Sequence, residues 1–463
     1  MLKPKLFIFA MLFPLLVFSQ AGKEKSAPMS YLWKVVGVEG FSSGQAAYIS
    51  MKVSSAGKPY VAYKDYGNMS KATVMTFNGL QWGTAGAAGF SAGEVWFTSL
   101  DISSSGQAFV AYVDAGNGYK ATVMALDDNQ WVPVGSPGFT QGIANYTSLA
   151  LPPTEPSHPC LAFMDGFHSN KASVMKFNGT SWVYLGPPGF SADEADYISL
   201  AFSPGGVPYV AYQDYGKSMK ATVKKFNGTS WENVGPEGFS KGPAHYIDLK
   251  FSAVGLPYVA YWDEIVNATV RMYNGLAWDT VGQGRISPGE VHYLNLAITP
   301  GGWAFLSYID ISDYHVPKVM ADKIYGWEPS DSTSVSTGWA DYTSLACSPV
   351  GRLYVAFEDG AYSNRLTVKM LDSLYVGIPN LETPRLVIFP NPASNSISIS
   401  LPREYGIPES LEIYGAAGTK IFSSSTGESS TILDIRNYPQ GIYFTRIRTG
   451  NKEYIGKFCR IKE

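Results

Sequence analysis

The 463-residue sequence is poor in charge and in the residues that metal sites and disulfide frameworks need. Charged residues make up 16% of the chain and the formal net charge is −3, so neither nucleic acid nor an anionic membrane is indicated as a partner. The three cysteines, Cys160, Cys347 and Cys459, lie far apart, match no zinc spacing, and are too few and odd in number for a closed disulfide set. The five histidines form no His-Glu-x-x-His motif, and we predict neither a metal nor a cofactor.

Long apolar runs are also scarce. The run from Leu6 to Phe18 follows Lys3 and Lys5 and precedes the small or polar residues 19–21, which predicts a cleaved signal peptide over residues 1–20. This run is too short for a stable membrane anchor, although a retained anchor is the alternative. No other stretch is apolar enough to cross a membrane, so we predict no transmembrane segment.

Aromatic residues (14%) and 47 glycines are abundant, and the tryptophans recur at intervals of 47 to 51 residues. Between them the same phrase returns, with four short segments rich in β-branched and aromatic residues separated by Gly, Pro or Asn. In the fourth copy these segments begin at Tyr197, Pro208, Ala221 and Ser230. The recurring tryptophans are Trp33, Trp82, Trp131, Trp182, Trp231, Trp278 and Trp327.

A four-stranded repeat of this length predicts an all-β fold, a seven-bladed β-propeller over residues 31–373, with a β-solenoid as the alternative. The seventh copy lacks its own tryptophan strand, and Trp33–Gly37 precedes the first copy without a partner. We therefore expect this N-terminal strand to close blade seven. The Asn-Gly pairs, of which Asn78-Gly79 is the first, predict tight hairpins with two successive positive φ angles.

The repeat stops at a linker, residues 374–384, and the last segment, residues 385–463, has a different pattern. It contains Pro390-Asn391-Pro392, then Gly418 in a hairpin, then Gly441-Ile442-Tyr443-Phe444, and it ends with lysines. This segment resembles the type A C-terminal sorting domain of the type IX secretion system of Bacteroidota. The resemblance implies a small β-sandwich, passage through the outer membrane by the secretion machinery, removal of the tail, and either release or attachment to the cell surface. An ordinary accessory β-sandwich is the alternative.

Each second strand of the repeat ends in an aspartate, and paired carboxylates can hydrolyse glycosides. A catalytic site would not be copied seven times, however, so we interpret these aspartates as loop caps or as ion pairs with a basic residue across the hairpin, Asp65 with Lys71 in the first blade. The Phe of each Gly-Phe-Ser segment, Phe41 in the first, is interpreted as a plug between blades, with a sugar-stacking platform as the alternative.

Strand order places the longer loops on one face of the ring, where we expect function to lie. The aromatic residues of these loops are candidates for stacking on sugars, and the residues just before each first-strand aromatic should surround the mouth of the central channel. Two of them, His245 and His292, with nearby acids could hold a cation or orient a polar ligand, the alternative being a solvated rim. The predicted ligand-binding residues are Tyr66, Tyr119, Phe167, Tyr215, Trp96, Asp196, His245, His292 and Asp341.

No nucleophile elbow, Gly-rich phosphate loop or His-Glu metal motif is visible, and we assign no catalytic residue. The sequence favours a secreted or surface-attached non-catalytic binding protein with a glycan or protein ligand on the long-loop face. An extracellular glycan-active hydrolase and a structural surface-layer component are the alternatives.

Overall fold

The structure, a computed structural model, describes residues 30–374 and 386–461, except residues 156, 266, 283–284, 324–325, 331–334, 337, 392, 402–406, 416–418, 426–427 and 451. The predicted signal peptide and most of the predicted linker lie outside the described residues, as do Pro392 and Gly418 of the tail motifs. No helix in the described part of the chain has the length and apolar character needed to cross a membrane.

Six groups of four antiparallel strands follow one another along the chain, and each group forms one sheet whose strand order equals the chain order. The first strand of each sheet contacts the first strands of its two neighbours, so these strands surround the axis of a ring. The strands are β2 (Ala46–Val53), β3 (Pro59–Asp65), β4 (Lys71–Phe77), β5 (Trp82–Thr84), β6 (Val95–Ile102), β7 (Ala108–Asp114), β8 (Lys120–Asp127), β9 (Gln130–Pro133), β10 (Ala144–Ala150), β11 (Cys160–Asp165), β12 (Lys171–Phe177), β13 (Trp182–Tyr184), β14 (Ala195–Phe202), β15 (Pro208–Asp214), β16 (Lys220–Phe226), β17 (Trp231–Asn233), β18 (Ala244–Phe251), β19 (Pro257–Asp263), β20 (Asn267–Tyr273), β21 (Trp278–Thr280), β22 (Val291–Ile298), β23 (Ala304–Asp310), β24 (Val316–Lys323) and β25 (Gly326–Pro329).

The seventh sheet joins the two ends of the ring. Its fourth strand comes from the N-terminus, where Trp33 is the register partner of Leu371, and its first strand meets blade one, where the Met51 N–H donates to Ser344 Oγ at 2.9 Å. The seven-bladed propeller and its closure by the N-terminal strand are therefore confirmed. The four strands are β26 (Ala340–Cys347), β27 (Leu353–Asp359), β28 (Arg365–Leu374) and β1 (Ser30–Val35).

The repeated aromatic residues hold neighbouring blades together. Phe139, from a Gly-Phe-Thr segment, stacks on Trp182 with ring centroids 4.2 Å apart and an interplanar angle of 5°. The Trp182 indole N–H donates to the Val134 carbonyl of the preceding blade at 2.7 Å. Equivalent stacks form at four other blades, so the loop Phe is a plug between blades and the sugar-platform alternative is wrong.

The Asn-Gly turns differ from the prediction. Phe77 pairs with Trp82, which leaves a four-residue loop in which Asn78 Oδ1 accepts the N–H of Leu80 at 2.9 Å and only Gly79 has positive φ. Two successive positive φ angles occur in the corresponding turn of blade two, Asp128-Asn129, because that loop has only two residues. Loop length, which the dipeptide alone does not reveal, decided the turn type.

The C-terminal segment, residues 386–461, here called the tail domain, packs a three-stranded sheet on a four-stranded sheet. Its core is a separate apolar cluster that includes Ile397, Leu411, Ile413, Tyr443 and Phe458. The strand order is β29-β30-β33 in one sheet and β32-β31-β34-β35 in the other. These strands are β29 (Val387–Phe389), β30 (Ser396–Ser400), β31 (Ser410–Gly415), β32 (Lys420–Ser425), β33 (Ser430–Asp434), β34 (Gly441–Thr449) and β35 (Lys452–Arg460).

Candidate functional site

The two faces of the ring carry different loops. We call the long-loop face the one where first strands begin and second strands end, with the loops 40–45 and 65–71 in blade one; the short-turn face is the other, with turns such as 54–58 and 78–81. On the long-loop face, five of the loops that follow a second strand contain one 3₁₀ turn. These turns span Tyr66–Asn68, Ala115–Asn117, Gly166–His168, Tyr215–Lys217 and Gly360–Tyr362.

The aspartate at the end of the second strand is a structural cap in six blades. In blade four, Asp214 accepts the Thr222 hydroxyl at 2.9 Å but does not cap its loop. Asp65 is fully buried, and its carboxylate accepts the Gly67 N–H at 3.0 Å and the Thr73 hydroxyl at 2.9 Å. Its counterparts Asp114 and Asp165 accept loop N–H groups in the same way. The loop-cap interpretation is confirmed, and these carboxylates bind loop groups instead of the lysine across the hairpin.

A closed ring of seven aromatic side chains surrounds the channel axis. The ring centroids of neighbours lie 4.3 to 5.4 Å apart, and the circuit closes from Tyr342 back to Tyr48. All seven residues have φ between 47° and 52°, and the strand register shifts at this point in every blade. This bulge, in a backbone region unfavourable to bulky residues, aims the aromatic rings at the axis. The residues are Tyr48, Phe97, Tyr146, Tyr197, Tyr246, Tyr293 and Tyr342.

One group of predicted residues forms a compact cluster between blades one and two. The Lys64 ammonium lies 4.4 Å from the Trp96 ring centroid and 5.3 Å from that of Tyr66, and Tyr119 packs on Trp96 with centroids 5.5 Å apart. Lys64 also forms an ion pair with Glu94. We call these five residues the lysine cluster. Lys64 is only 3% exposed, whereas Tyr66 and Tyr119 are 47% and 52% exposed, so a buried cation fixes rings that face solvent.

A second group lies between blades four and five. The Tyr215 hydroxyl donates to Asp196 Oδ2 at 3.2 Å, and the His245 ring packs on Tyr197 of the aromatic ring with centroids 5.6 Å apart. His245 Nε2 lies 2.8 Å from the Glu264 carboxylate. Burial raises the pKa of Asp196, and the Tyr215 hydrogen bond opposes that rise.

The third group extends over blades five to seven. His292 Nε2 lies 2.8 Å from the Glu290 carboxylate, and its ring packs on Tyr246 with centroids 5.3 Å apart. His315 Nδ1 lies 3.8 Å from Asp341. Burial raises the pKa of Asp341, and the charges of His315 and His292 lower it. The predicted rim residues thus lie beside the aromatic ring but in separate groups.

Two charged residues of this site were not among the predicted ones. Lys64 and Glu358 both occupy the position just before the capping aspartate, in strands that are otherwise apolar. Glu358 is 2% exposed and its carboxylate accepts the Gln45 amide at 2.9 Å. Burial raises the pKa of Glu358 to about 8, the Gln45 bond opposes the rise and the Asp341 charge adds to it. The sequence did contain a signal for these two residues, because each is a charged residue at the same position of a strand that is otherwise apolar.

Two loop aromatics lie apart from these groups. Phe167 is 61% exposed and contacts His168 with ring centroids 5.1 Å apart, while the Tyr362 hydroxyl donates to Glu39. The loop aromatics also occupy different positions of their loops, since Tyr66 directly follows its capping aspartate and Tyr119 comes five residues after Asp114. The loops therefore share a backbone but present their rings differently.

Among the described residues, no three His, Cys, Asp or Glu side chains are placed to hold a metal ion. The three cysteines are free thiols, and burial raises the pKa of Cys160 to about 12. The described residues of the long-loop face therefore contain neither a metal-binding cluster nor a reactive thiol.

The tail domain can be assigned to a known family. Residues 387–462 match the family described as the secretion system C-terminal sorting domain. The tail domain is therefore a type IX sorting domain, and the protein is exported to the cell surface or the extracellular space.

The chain has no match among curated proteins. Its fold does resemble that of solved structures at low sequence identity. A polysaccharide lyase described as an ulvan lyase has 12% identity and a TM-score of 0.50 over 74% of this chain and 96% of its own. A fucoside-bound lectin of Aleuria aurantia has 14% identity and a TM-score of 0.43 over 64% and 98%. A protein of unknown function from Dyadobacter fermentans has 12% identity and a TM-score of 0.42 over 74% and 98%. These similarities concern the fold alone.

Proposed function

We propose that the exported propeller is a non-catalytic binding protein that takes a glycan on its long-loop face. The observation that carries this proposal is the lysine cluster. Tyr66, Trp96 and Tyr119 come from two blades. Lys64 contacts the rings of Tyr66 and Trp96, and Tyr119 packs on Trp96, so the three rings are ordered before any ligand arrives. A set of exposed aromatic rings that is already ordered loses little conformational entropy when it binds.

The chemistry of the lysine cluster suits a sugar. Tyrosine and tryptophan offer an apolar ring surface together with a polar group, which matches the apolar face and the hydroxyl groups of a pyranose. The side chain of Glu94 is 42% exposed beside the rings and can accept hydrogen bonds from sugar hydroxyls. A protein ligand would use the same rings and is an outcome of the test below.

A second contact at Tyr215 would make binding multivalent. Tyr215 and Asp196 lie three blades away from Tyr66 on the same face, so an extended or branched glycan can reach both positions. Two weak contacts that engage one ligand gain affinity from effective concentration without any new contact. We expect the positions that bind the glycan to lie in blades one to four, because blades five and six lack the Gly-Phe-Ser segment or have a shortened loop.

A glycan-active enzyme is the second candidate, and Glu358 is the observation that favours it. A carboxyl group with a pKa of about 8 is protonated at neutral pH and is suited to donate a proton. Asp341 is its register partner across β26 and β27. Incubating any bound glycan with the protein and measuring its reducing ends distinguishes the two candidates, because we expect binding without turnover.

The test is a glycan array probed with the full chain, followed by titration of the best hit with Tyr66→Ala, Tyr215→Ala and the double variant. Each single change should weaken binding by about ten-fold, because stacking on one aromatic ring contributes on the order of 1 kcal/mol or more. The double variant should lose avidity altogether while its thermal unfolding midpoint stays within about 3 °C of wild type, as expected for exposed positions.

The matched control is Leu80→Ala with Leu276→Ala, which removes two exposed apolar side chains from the short-turn face. This control should bind like wild type. Unchanged binding by the Tyr66 and Tyr215 variants, or equal loss in the control, would refute glycan binding at the long-loop face. Capture of proteins but no glycan would assign the face to a protein ligand.

A further inference from the structure

The tail domain touches the short-turn face of the propeller at blades five and six. Lys457 of β35 donates a hydrogen bond from its ammonium group to the Gly302 carbonyl at 2.8 Å, and the same ammonium lies 5.8 Å from the Trp303 ring centroid. Gly302 belongs to the short turn between β22 and β23, where the Gly302 N–H donates to the Thr299 carbonyl at 2.8 Å. The propeller therefore presents a carbonyl oxygen and an indole face to a cation that comes from the tail.

Asp322, near the end of β24, interacts with Lys457 through its charge. Burial raises the pKa of Asp322 to about 6, and the charge of Lys457 opposes the rise. Burial in turn lowers the pKa of Lys457, and the charge of Asp322 opposes that change. Each charged form thus stabilises the other at the edge of the ring.

The rest of the contact is loosely packed. Ile442 of the tail domain packs against the apolar core of blades five and six, beside Tyr258 and Met272. A cavity of about 280 Å³ remains between the two parts, and Tyr209, Gln440 and Cys459 are among the residues that line it. Lys457 thus adds a polar contact beside this apolar one.

We propose that the Gly302 carbonyl, the Trp303 ring and the Asp322 carboxylate form an ammonium-binding slot, which Lys457 fills while the tail is present. When the tail is removed, the slot accepts the lysine side chain of a partner protein. The slot lies on the opposite face from the glycan site and stands independently of the proposed function.

The three groups match a primary ammonium. An ammonium group has three N–H donors and no acceptor, so the Gly302 carbonyl accepts from it, while the Asp322 carboxylate favours its positive charge. An indole face is the strongest aromatic partner for a cation. The turn that carries Gly302 and Trp303 is already held by the fold, since a backbone hydrogen bond from the Thr299 N–H to the Trp303 carbonyl at 2.9 Å closes it.

The test uses the full chain with 5-fluorotryptophan in place of tryptophan, and the Trp303 signal is identified by Trp303→Phe. In Lys457→Ala the slot is vacant whether or not the tail stays docked. Titration with Nα-acetyl-lysine methylamide should then shift the Trp303 fluorine signal saturably, whereas the uncharged Nα-acetyl-norleucine methylamide should leave it unchanged. Wild type should not respond, because Lys457 occupies the slot.

Two further variants make the result decisive. Lys420→Ala removes a lysine that pairs with Glu412 inside the tail domain, and it should behave as wild type. Adding Asp322→Asn to Lys457→Ala should weaken the lysine response by at least about five-fold, as expected for the loss of a partly buried opposite charge. The remaining fluorotryptophan signals report whether each variant is folded. A folded Lys457→Ala protein that ignores the lysine probe, or one whose response survives Asp322→Asn, would overturn the proposal.

Discussion

The Glu358→Gln substitution tests the electrostatics of the channel mouth. The Glu358 carboxyl group is 2% exposed and has one amide donor, Gln45, at 2.9 Å. Burial raises its pKa from 4.5 to about 8. Glutamine has nearly the same shape as the protonated acid and carries no charge at any pH, so it removes the titration and leaves the packing in place.

The sign follows from proton binding. Between pH 4.5 and about 8 the folded protein keeps a proton on Glu358 that the unfolded chain releases, so this group makes the protein less stable as pH rises through that window. At about 1.4 kcal/mol for each unit of pKa, the full cost above pH 8 has an upper limit of about 5 kcal/mol. Relaxation around the buried charge makes a measured value of about 2–3 kcal/mol more realistic.

The assay is reversible denaturant unfolding of wild type and Glu358→Gln at pH 5, 7 and 9. The free energy of unfolding of the variant relative to wild type should be near zero at pH 5 and should rise with pH, reaching its largest value at pH 9. The matched control is Glu232→Gln, because Glu232 is exposed and its hydrogen bonds with Lys225 and Asn227 lower its pKa. This variant should therefore gain no stability over wild type as pH rises. A difference that stays constant with pH, or one that favours wild type more as pH rises, would refute the reasoning.

Three other predictions concern the ring and the tail. Deleting residues 21–38 removes the closing strand and the buried Trp33, which leaves an unpaired edge on blade seven. The thermal unfolding midpoint should fall by at least about 5 °C, and an unchanged midpoint in a soluble monomer would contradict the closure. The intact mass of the protein collected outside the cell should correspond to a chain whose last residue lies between positions 374 and 386. A mass that corresponds to a chain ending at Glu463 would contradict removal of the tail. Phe139→Ala should lower the free energy of unfolding by about 2–4 kcal/mol, because it removes the ring stacked on Trp182; a loss below about 1 kcal/mol would show that the stack is not a structural plug.

The sequence alone determined the repeat, the number of blades and the closure of the ring. The strand that contains Trp33 has no partner before it in the sequence, and the seventh copy has no tryptophan strand after it. Pairing these two segments gives each of them the missing neighbour. This inference works from sequence because hydrogen-bonding strands must be paired and an open edge is costly. The tail was identifiable for a different reason, since its short motifs follow one another in a fixed order.

The tertiary structure decided which residues belong together on the long-loop face. The residues before each first-strand aromatic were expected to form one rim, but Trp96, Asp196, His245, His292 and Asp341 belong to separate groups whose members come from two or three blades. Lys64 and Glu358 escaped prediction because a charged residue in an apolar strand acquires its partner, Trp96 or Gln45, only from the neighbouring blade. No spacing within one repeat reveals such a contact.

For the closed ring of seven aromatic side chains, too, the sequence gives one part of the description and the tertiary structure the other. The sequence places a tyrosine or phenylalanine at the start of every first strand, but it does not show that each of them adopts a left-handed backbone conformation. That conformation is unfavourable for a single aromatic residue and is stable here because the strand bulge and the two neighbouring rings impose it. The sequence thus gives the aromatic residue type at each of these positions. The strained backbone conformation of these residues depends on contacts that exist only when all seven blades are assembled.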